Sequence, residues 1–326
     1  MPHITILGSL NYDMVVYTPR MPAPGETMHS DAFETHNGGK GANQALAARR
    51  LSPPETVEVA MVGRVGQDGF GSELREGLEK AGVDVSRVEM VQGESGVAVI
   101  LVERSGENRI LVHGGANDTF TPEDITTSLF TAHDNTPTDY LILQNELPLA
   151  VVRRAISLAS ELNIKIVYNP SPMSPEILEW HDLLPSIAYL VVNESELSAL
   201  IGVDLEVSSA ADITSETITA GVALLYTTRG FTGTVVVTFG GHGSLFCVSG
   251  SKPVFQPPYK PASVVDTTGA GDSFLGAFVG AIASGRSEAE AIRWGAAAGC
   301  LAVQKKGAAD SIPLLQDAQR LVEAST

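Results

Sequence analysis

Short apolar runs broken by glycine-rich turns set the rhythm of the chain. Residues 4–8 form an apolar run ending in Gly-Ser, the mark of a buried strand feeding a loop, and residues 59–63 read the same way. After Gly66-Gln67-Asp68-Gly69-Phe70-Gly71 the spacing becomes that of an amphipathic helix, which runs through Ala81. Residues 97–103 and 109–113 alternate around Ser105-Gly106-Glu107-Asn108 and predict a hairpin. From Tyr140 the chain settles into strand–helix units: strand 140–144 with helix 148–162, strand 164–169 with a helix over 175–184, and strand 189–192 with helix 195–200. An acidic, Ser/Thr-rich stretch follows over 205–233, with a helix predicted at 219–226. A buried strand at 235–239 then enters a glycine loop. An apolar helix begins near Phe274, and Ser287-Glu288-Ala289-Glu290 is a capping box opening a second that reaches Gln304. The alternation predicts one α/β domain over 1–326, a central mostly parallel sheet flanked by helices, with ligands beyond the strand C-termini.

Composition narrows the function. The 326 residues suffice for a sizeable core, and the 44% hydrophobic and 18% charged residues are those of an ordinary globular protein. A net charge of -17 argues against a nucleic-acid partner, which would need Lys and Arg on a shared face. Small anionic substrates remain compatible, because backbone amides and a bound cation reverse the field locally. Cys247 and Cys300 stand far apart in apolar contexts and predict buried thiols in a reducing compartment. The N-terminus is too short for a signal segment and no apolar run has membrane-spanning length, so a cytoplasmic protein without a membrane partner is expected.

The chemistry gathers at Asp266-Thr267-Thr268-Gly269-Ala270-Gly271-Asp272. Gly269, Ala270 and Gly271 let the backbone turn tightly at a helix start, where unpaired N–H groups face an anion. Asp272 is placed either to cap that helix or to take a proton from a hydroxyl. A second glycine cluster, Gly38-Gly39-Lys40-Gly41-Ala42-Asn43-Gln44, lets the chain pass against a flat ligand, with Asn43 facing back from the first helical turn. Its spacing is not that of a Walker A loop. Lys40 can steady a phosphate or simply be solvated. Asn11 and Asp13, alternate positions past the first strand, fit hydroxyl recognition or an Asx turn. Glu146 and Asn193 fall at strand ends, and Asn193-Glu194-Ser195-Glu196 also fits a helix cap. His242 is read as a loop residue. The helix end at 302–311 supplies carbonyl oxygens that a loop at Gly307 can fold around a cation.

Together, in this order and separation, the two glycine signatures resemble those of the ribokinase-like (PfkB) carbohydrate kinases over nearly the whole chain. The resemblance implies phosphoryl transfer from ATP to the 5-hydroxyl of D-ribose, with other pentoses, deoxyribose, fructose or a nucleoside as alternative acceptors. It implies that Asn11, Asp13, Gly39, Lys40, Asn43, Glu146 and Asp272 hold the sugar. Asp272 would be the base, with the amides of Gly269, Ala270 and Gly271 forming the anion hole. Asn193 and Glu196 would place Mg²⁺ and phosphate through water, while Thr238, Gly240, Gly243 and Gly271 line the ATP side. Asp266, Thr268, Ala302, Lys305, Gly307 and Ser311 would hold K⁺. Segments of about 12–38 and 96–114 would form a small β-sheet lid over the sugar. Its outer face, with Val99, Leu101 and Ile110, would pair with a second subunit. Gly295 departs from the His often found near the adenine. A catalytically silent sugar-binding regulator is the reading from another class.

Overall fold

Nine strands, each buried on both faces or at an edge, build the body of the molecule in the order β13-β12-β11-β10-β9-β8-β1-β4-β5 among the described residues. The computed structural model describes residues 1–132 and 136–325. In chain order the strands are β1 (His3–Leu7), β2 (Asn11–Thr18), β3 (Ala32–Gly38), β4 (Glu58–Gly66), β5 (Asp84–Val91), β6 (Gly96–Glu103) and β7 (Asn108–His113). The rest are β8 (Tyr140–Leu143), β9 (Lys165–Tyr168), β10 (Ile187–Asn193), β11 (Thr234–Thr238), β12 (Ser244–Val248) and β13 (Val254–Gln256). The pairings from β5 through β11 are parallel; β12 and β13 add antiparallel edges. The helices are α1 (Lys40–Arg50), α2 (Gly69–Lys80), α3 (Leu149–Glu161), α4 (Glu194–Ile201), α5 (Glu216–Thr227), α6 (Ala270–Ala283), α7 (Glu288–Ala302), α8 (Ala308–Ser311) and α9 (Leu315–Glu323).

Period-two alternation divides the core. Ile142, Val167, Val191 and Val236 point to the layer containing α1, α6 and α7, while Leu141, Ile166, Leu190 and Val235 point to that of α3, α4 and α5. Helix α6 is apolar all round and buried from Asp272 to Ala283, so it lies inside its layer. Gly276 lets it approach α1, since a Cβ there would sit 2.4 Å from that of Ala47.

β2, β3, β6 and β7 form a separate sheet in the order β3-β2-β6-β7, at the predicted lid segments. Its register places Val99 and Leu101 on one face and Ile110, opposite Ile100, on the other, so these three do not share a surface as the sequence reading assumed. Apolar side chains are exposed on both faces along its two edge strands: Phe33 of β3 and Leu111 of β7 on one, Ile110 and Val112 of β7 on the other.

Other departures are local. No α-helix forms over 175–184; a 3-10 turn at Pro175–Glu179 stands there, and a second follows at Leu184–Ser186. The acidic stretch holds a 3-10 turn at Asp212–Thr214, and α5 starts earlier than periodicity suggested because Ser215 caps it. Asp68 likewise caps α2, and Ser287 with Glu290 forms the expected box on α7. Cys247 is buried, but Cys300 is only half-buried. Among the described residues no helix is long and apolar enough to cross a membrane.

Candidate active site

The turn between β1 and β2 is the floor of the site. Asn11 and Asp13 lie on β2 itself, two residues apart and so on the same side, with Gly38 and His36 opposite them on β3. Gly39 follows β3 at φ 88° and caps α1; a Cβ there would lie 2.7 Å from the Asn11 amide nitrogen and 2.8 Å from the Ser9 carbonyl oxygen. The glycine run therefore rests directly on the β1–β2 turn, and α1 leaves it with Lys40 and Asn43 facing the C-terminal ends of the strands.

Two carboxylates organise the hydrogen bonds there. Glu146, just past β8, accepts at Oε2 from Ser9 Oγ (2.5 Å), the Lys40 amide (2.9 Å) and Asn11 Nδ2 (3.5 Å). Asp272 accepts at Oδ1 from Gln44 Nε2 (2.9 Å) and at Oδ2 from Asn43 Nδ2 (3.3 Å). Asp13 has no hydrogen bond to its carboxylate among the described residues, and the buried Asn43 Oδ1 has no partner either.

Burial dominates the electrostatics. It pushes the Asp13 carboxyl up to about 7; Glu146 adds to the rise, His36 opposes it and Asp272 adds again. Burial also raises Asp272, against the pull of Lys40 and the Gln44 amide. For Lys40, burial works against the ammonium but is outweighed by Asp272, Glu146 and Glu196, which hold its pKa above the ordinary value. Lys40 is thus a half-buried counter-charge to three carboxylates, not a solvated surface lysine.

The start of α6 shows what caps it and what does not. Gly269 sits at φ 75° as N-cap with no side-chain cap, and Asp272 lies in the first turn with its carboxylate turned sideways to Asn43 and Gln44. The first-turn amides of Gly271 and Asp272 are thereby left for something outside the helix. A Cβ on Gly271 would meet nothing within 4 Å, so protein packing leaves the space in front of that backbone clear.

Asn193 and Glu196 satisfy each other as a capping box on α4: Asn193 Oδ1 accepts from the Glu196 amide (2.8 Å) and Glu196 Oε2 from the Asn193 amide (2.9 Å). Burial nonetheless raises Glu196, partly countered by that Asn193 amide. Thr238 is the parallel neighbour of Asn193, and both, with Gly240, line an open cleft of about 690 Å³. Gly243 follows on the buried side of the 3-10 turn Gly240–His242.

Asp266 organises the remaining loop. Its Oδ1 accepts from the Thr268 amide (2.9 Å) and hydroxyl (2.7 Å), and its Oδ2 from the Gly307 amide (2.9 Å). Those bonds outweigh burial and hold its carboxyl below the ordinary value. The Ala302 carbonyl accepts from the Lys305 amide (3.1 Å), and the Ser311 hydroxyl turns back onto the Ala308 carbonyl (2.8 Å). His36 Nδ1 lies 2.8 Å from Asp310 Oδ2, tying strand β3 of the small sheet to this loop.

Sequence reasoning brought Asn11, Asp13, Gly39, Lys40, Asn43, Glu146 and Asp272 to one place, but missed Ser9, Gln44, Gln144 and Asn169, which support them. Gln44 stood inside the glycine signature, and Gln144 two positions before Glu146 at a strand end; amides carry no charge pattern to draw notice.

Residues 1–315 match the pfkB family carbohydrate kinase model. A ribokinase of Schizosaccharomyces pombe is 39% identical over 320 residues, covering 97% of this chain and 96% of that protein. A deoxyribokinase of Salmonella typhi is 34% identical, covering 84% of each chain. The structure of Arabidopsis thaliana ribokinase complexed with ribose and ATP superposes with a TM-score of 0.84 at 32% identity, over 99% of both chains. The chain therefore belongs to the pfkB family of carbohydrate kinases, and is a kinase built on a mostly parallel sheet with a small separate sheet above its active end.

Proposed function

We propose that the chain transfers the γ-phosphoryl group of ATP to the 5-hydroxyl of D-ribose. The observation that carries this reading is a surplus of acceptors over donors: the carboxylates of Asp13, Glu146 and Asp272 and the orphaned Asn43 Oδ1 converge with few hydrogens to share. A sugar supplies hydroxyl donors to such a cluster, and an apolar or anionic ligand does not. Asp13, Asn11, the Gly39–Lys40 backbone, Asn43 and Glu146 would hold the hydroxyls, with Asp272 accepting the proton of the attacking one.

The clear backbone at Gly271, with the amides of Gly271 and Asp272 at the N-terminus of α6, fits an anion hole for the transferring phosphoryl group. Lys40 faces the same region. Asn193, Thr238, Gly240 and Gly243 would flank the nucleotide. Glu196, buried and only partly compensated, suits a water-mediated Mg²⁺, whose charge would offset that of the phosphates. Asp266, already accepting three hydrogen bonds, would act on K⁺ chiefly by ordering Thr268 and Gly307, leaving backbone carbonyls of Thr268, Ala302, Lys305, Gly307 and Ser311 to ligate it. Ile110 and Val112 lie on the same face of the small sheet as Asp13, which supports a homodimer whose second copy covers that face.

The test is ADP release with ATP, Mg²⁺ and K⁺ across ribose, deoxyribose, fructose and adenosine. Ribose-selective turnover is expected. Preference for deoxyribose would keep the mechanism and overturn the acceptor, and sugar binding without turnover with any of them would make the chain a regulator.

A further inference from the structure

Behind Asp272 lies a set of buried and half-buried amides that none of the sugar contacts uses. Asn169 Nδ2 donates to the Val191 carbonyl of β10 (2.9 Å), and Asn169 Oδ1 accepts from Gln44 Nε2 (3.3 Å). The same Gln44 nitrogen donates to Asp272 Oδ1 (2.9 Å), while Gln44 Oε1 accepts from Gln144 Nε2 (2.6 Å). Gln44 is fully buried and Gln144 nearly so.

The direction of every bond follows from one backbone carbonyl. Val191 O can only accept, so Asn169 must turn its NH₂ toward it and its oxygen toward Gln44. Gln44 must then present both hydrogens of its NH₂, one to Asn169 and one to Asp272, and its oxygen to Gln144. A flipped Gln44 would set oxygen against Asn169 Oδ1 and Asp272 Oδ1, and NH₂ against NH₂ at Gln144. No member of the relay ionises near neutral pH, so the orientation does not depend on the state of the reaction.

We infer that Gln44 is a positioning residue that reserves Asp272 Oδ1 as a hydrogen-bond acceptor and leaves Oδ2 as the atom that takes the sugar proton. This rests on the proposed role of Asp272 as base. Oδ1 already accepts from the Gln44 amide at 2.9 Å, which ties up a lone pair and favours its staying an acceptor. Oδ2 faces Asn43 Nδ2 at the longer 3.3 Å, on the side where the sugar would lie. As the sugar oxygen forms its bond to the γ-phosphorus, the bond from that phosphorus to the β,γ-bridging oxygen breaks. ADP leaves with that electron pair, and the hydroxyl proton passes to Oδ2, neutralising Asp272. Holding the carboxylate in one rotation removes the unproductive orientation from the ground state.

Four charged groups face Asp272 besides the relay: Lys40 from α1, Glu146 from the turn after β8, Asp13 from β2 and Glu196 from α4. None changes in a Gln44→Leu variant, which removes a bond to the ionised carboxylate together with the neutral bonds to Asn169 and Gln144. The expected result is a drop in kcat of roughly 10- to 100-fold, the scale of one charge-assisted hydrogen bond. The acid limb of the kcat–pH profile should also move up by about one pH unit. KM for sugar and ATP should change little, since neither is touched. Gln144→Leu, which spares both donors to Asp272 and removes only the group that orients Gln44, should move the acid limb the same way by less, and decides the matter where Gln44→Leu does not fold. An acid limb at its wild-type position in the folded variants, or a KM effect with kcat intact, overturns the inference. Asp272→Asn is run alongside. Substantial turnover in it removes the base and this role together, whereas an inactive Asp272→Asn with unmoved limbs removes the positioning role alone.

Discussion

Asp13 should weaken the fold that it serves. Its carboxyl is pushed up from 3.8 to about 7, first by burial and then by Glu146 and Asp272. A carboxyl whose pKa is higher in the folded state holds its proton more tightly there, so it favours folding most below about pH 4. That contribution is lost as pH rises through the interval to about 7, and is flat beyond. Roughly three pH units at about 1.4 kcal/mol each set an upper bound of ~4 kcal/mol, and local relaxation brings the expected figure to about 2–4 kcal/mol. Asparagine has the shape of the protonated acid and never ionises. Asp13→Asn should therefore be more stable than wild type at pH 8, with an advantage that shrinks by about 2 kcal/mol at pH 5. Reversible urea unfolding of the ligand-free proteins at the two pH values measures it. Ribose affinity by calorimetry should fall in the same variant by about 10- to 100-fold, the scale of a lost hydrogen bond to a charged group. A variant no more stable at pH 8, or an advantage identical at both pH values, would refute the reasoning.

Gly41→Ala would place a Cβ 2.6 Å from the backbone of Gly8 and Ser9 and so press α1 off the β1–β2 turn; thermal unfolding should show a loss of ~1–3 kcal/mol, and an unchanged midpoint would contradict the packing. Val112, 59% exposed on the same face as Asp13, should be covered by the second copy, so Val112→Asp should sediment as a monomer where wild type is a dimer; an unchanged dimer places the interface elsewhere. Replacing Na⁺ by K⁺ at fixed ionic strength should raise turnover, and Asp266→Asn should abolish the difference; indifference of wild type to the cation discards that site.

Period-two apolar runs made the body of the sheet legible because parallel strands buried on both faces read as continuous Val, Ile and Leu. The edge strands β5 and β13 were harder to see, since a half-covered strand such as β5 mixes Asp84, Arg87 and Glu89 with its valines. Over 175–184 the apolar spacing looked helical, yet the chain makes only a 3-10 turn at Pro175–Glu179, because spacing reports burial and not the hydrogen-bond pattern. In the site, glycine spacing and carboxylates exposed Gly39, Asn43 and Asp272, because each does something that few other residue types can. Asn193 and Glu196 show the opposite case: the pattern fits a helix cap and a metal-side role equally, and the cap is present in full. Gln44, Gln144 and Asn169 were silent because their contacts join residues about 20 to 230 positions apart, and only the folded register places three neutral amides in line behind one carboxylate.

The most direct test of the account is the turnover of Asp272→Asn with ribose, ATP, Mg²⁺ and K⁺, measured beside its ribose and ATP affinities by calorimetry. A fall of about 10²–10⁴-fold in kcat, the scale of a lost general base, with both affinities near wild type is the predicted result. Near-normal turnover in a variant that still binds both would show that the proton leaves by another route and would contradict the central claim.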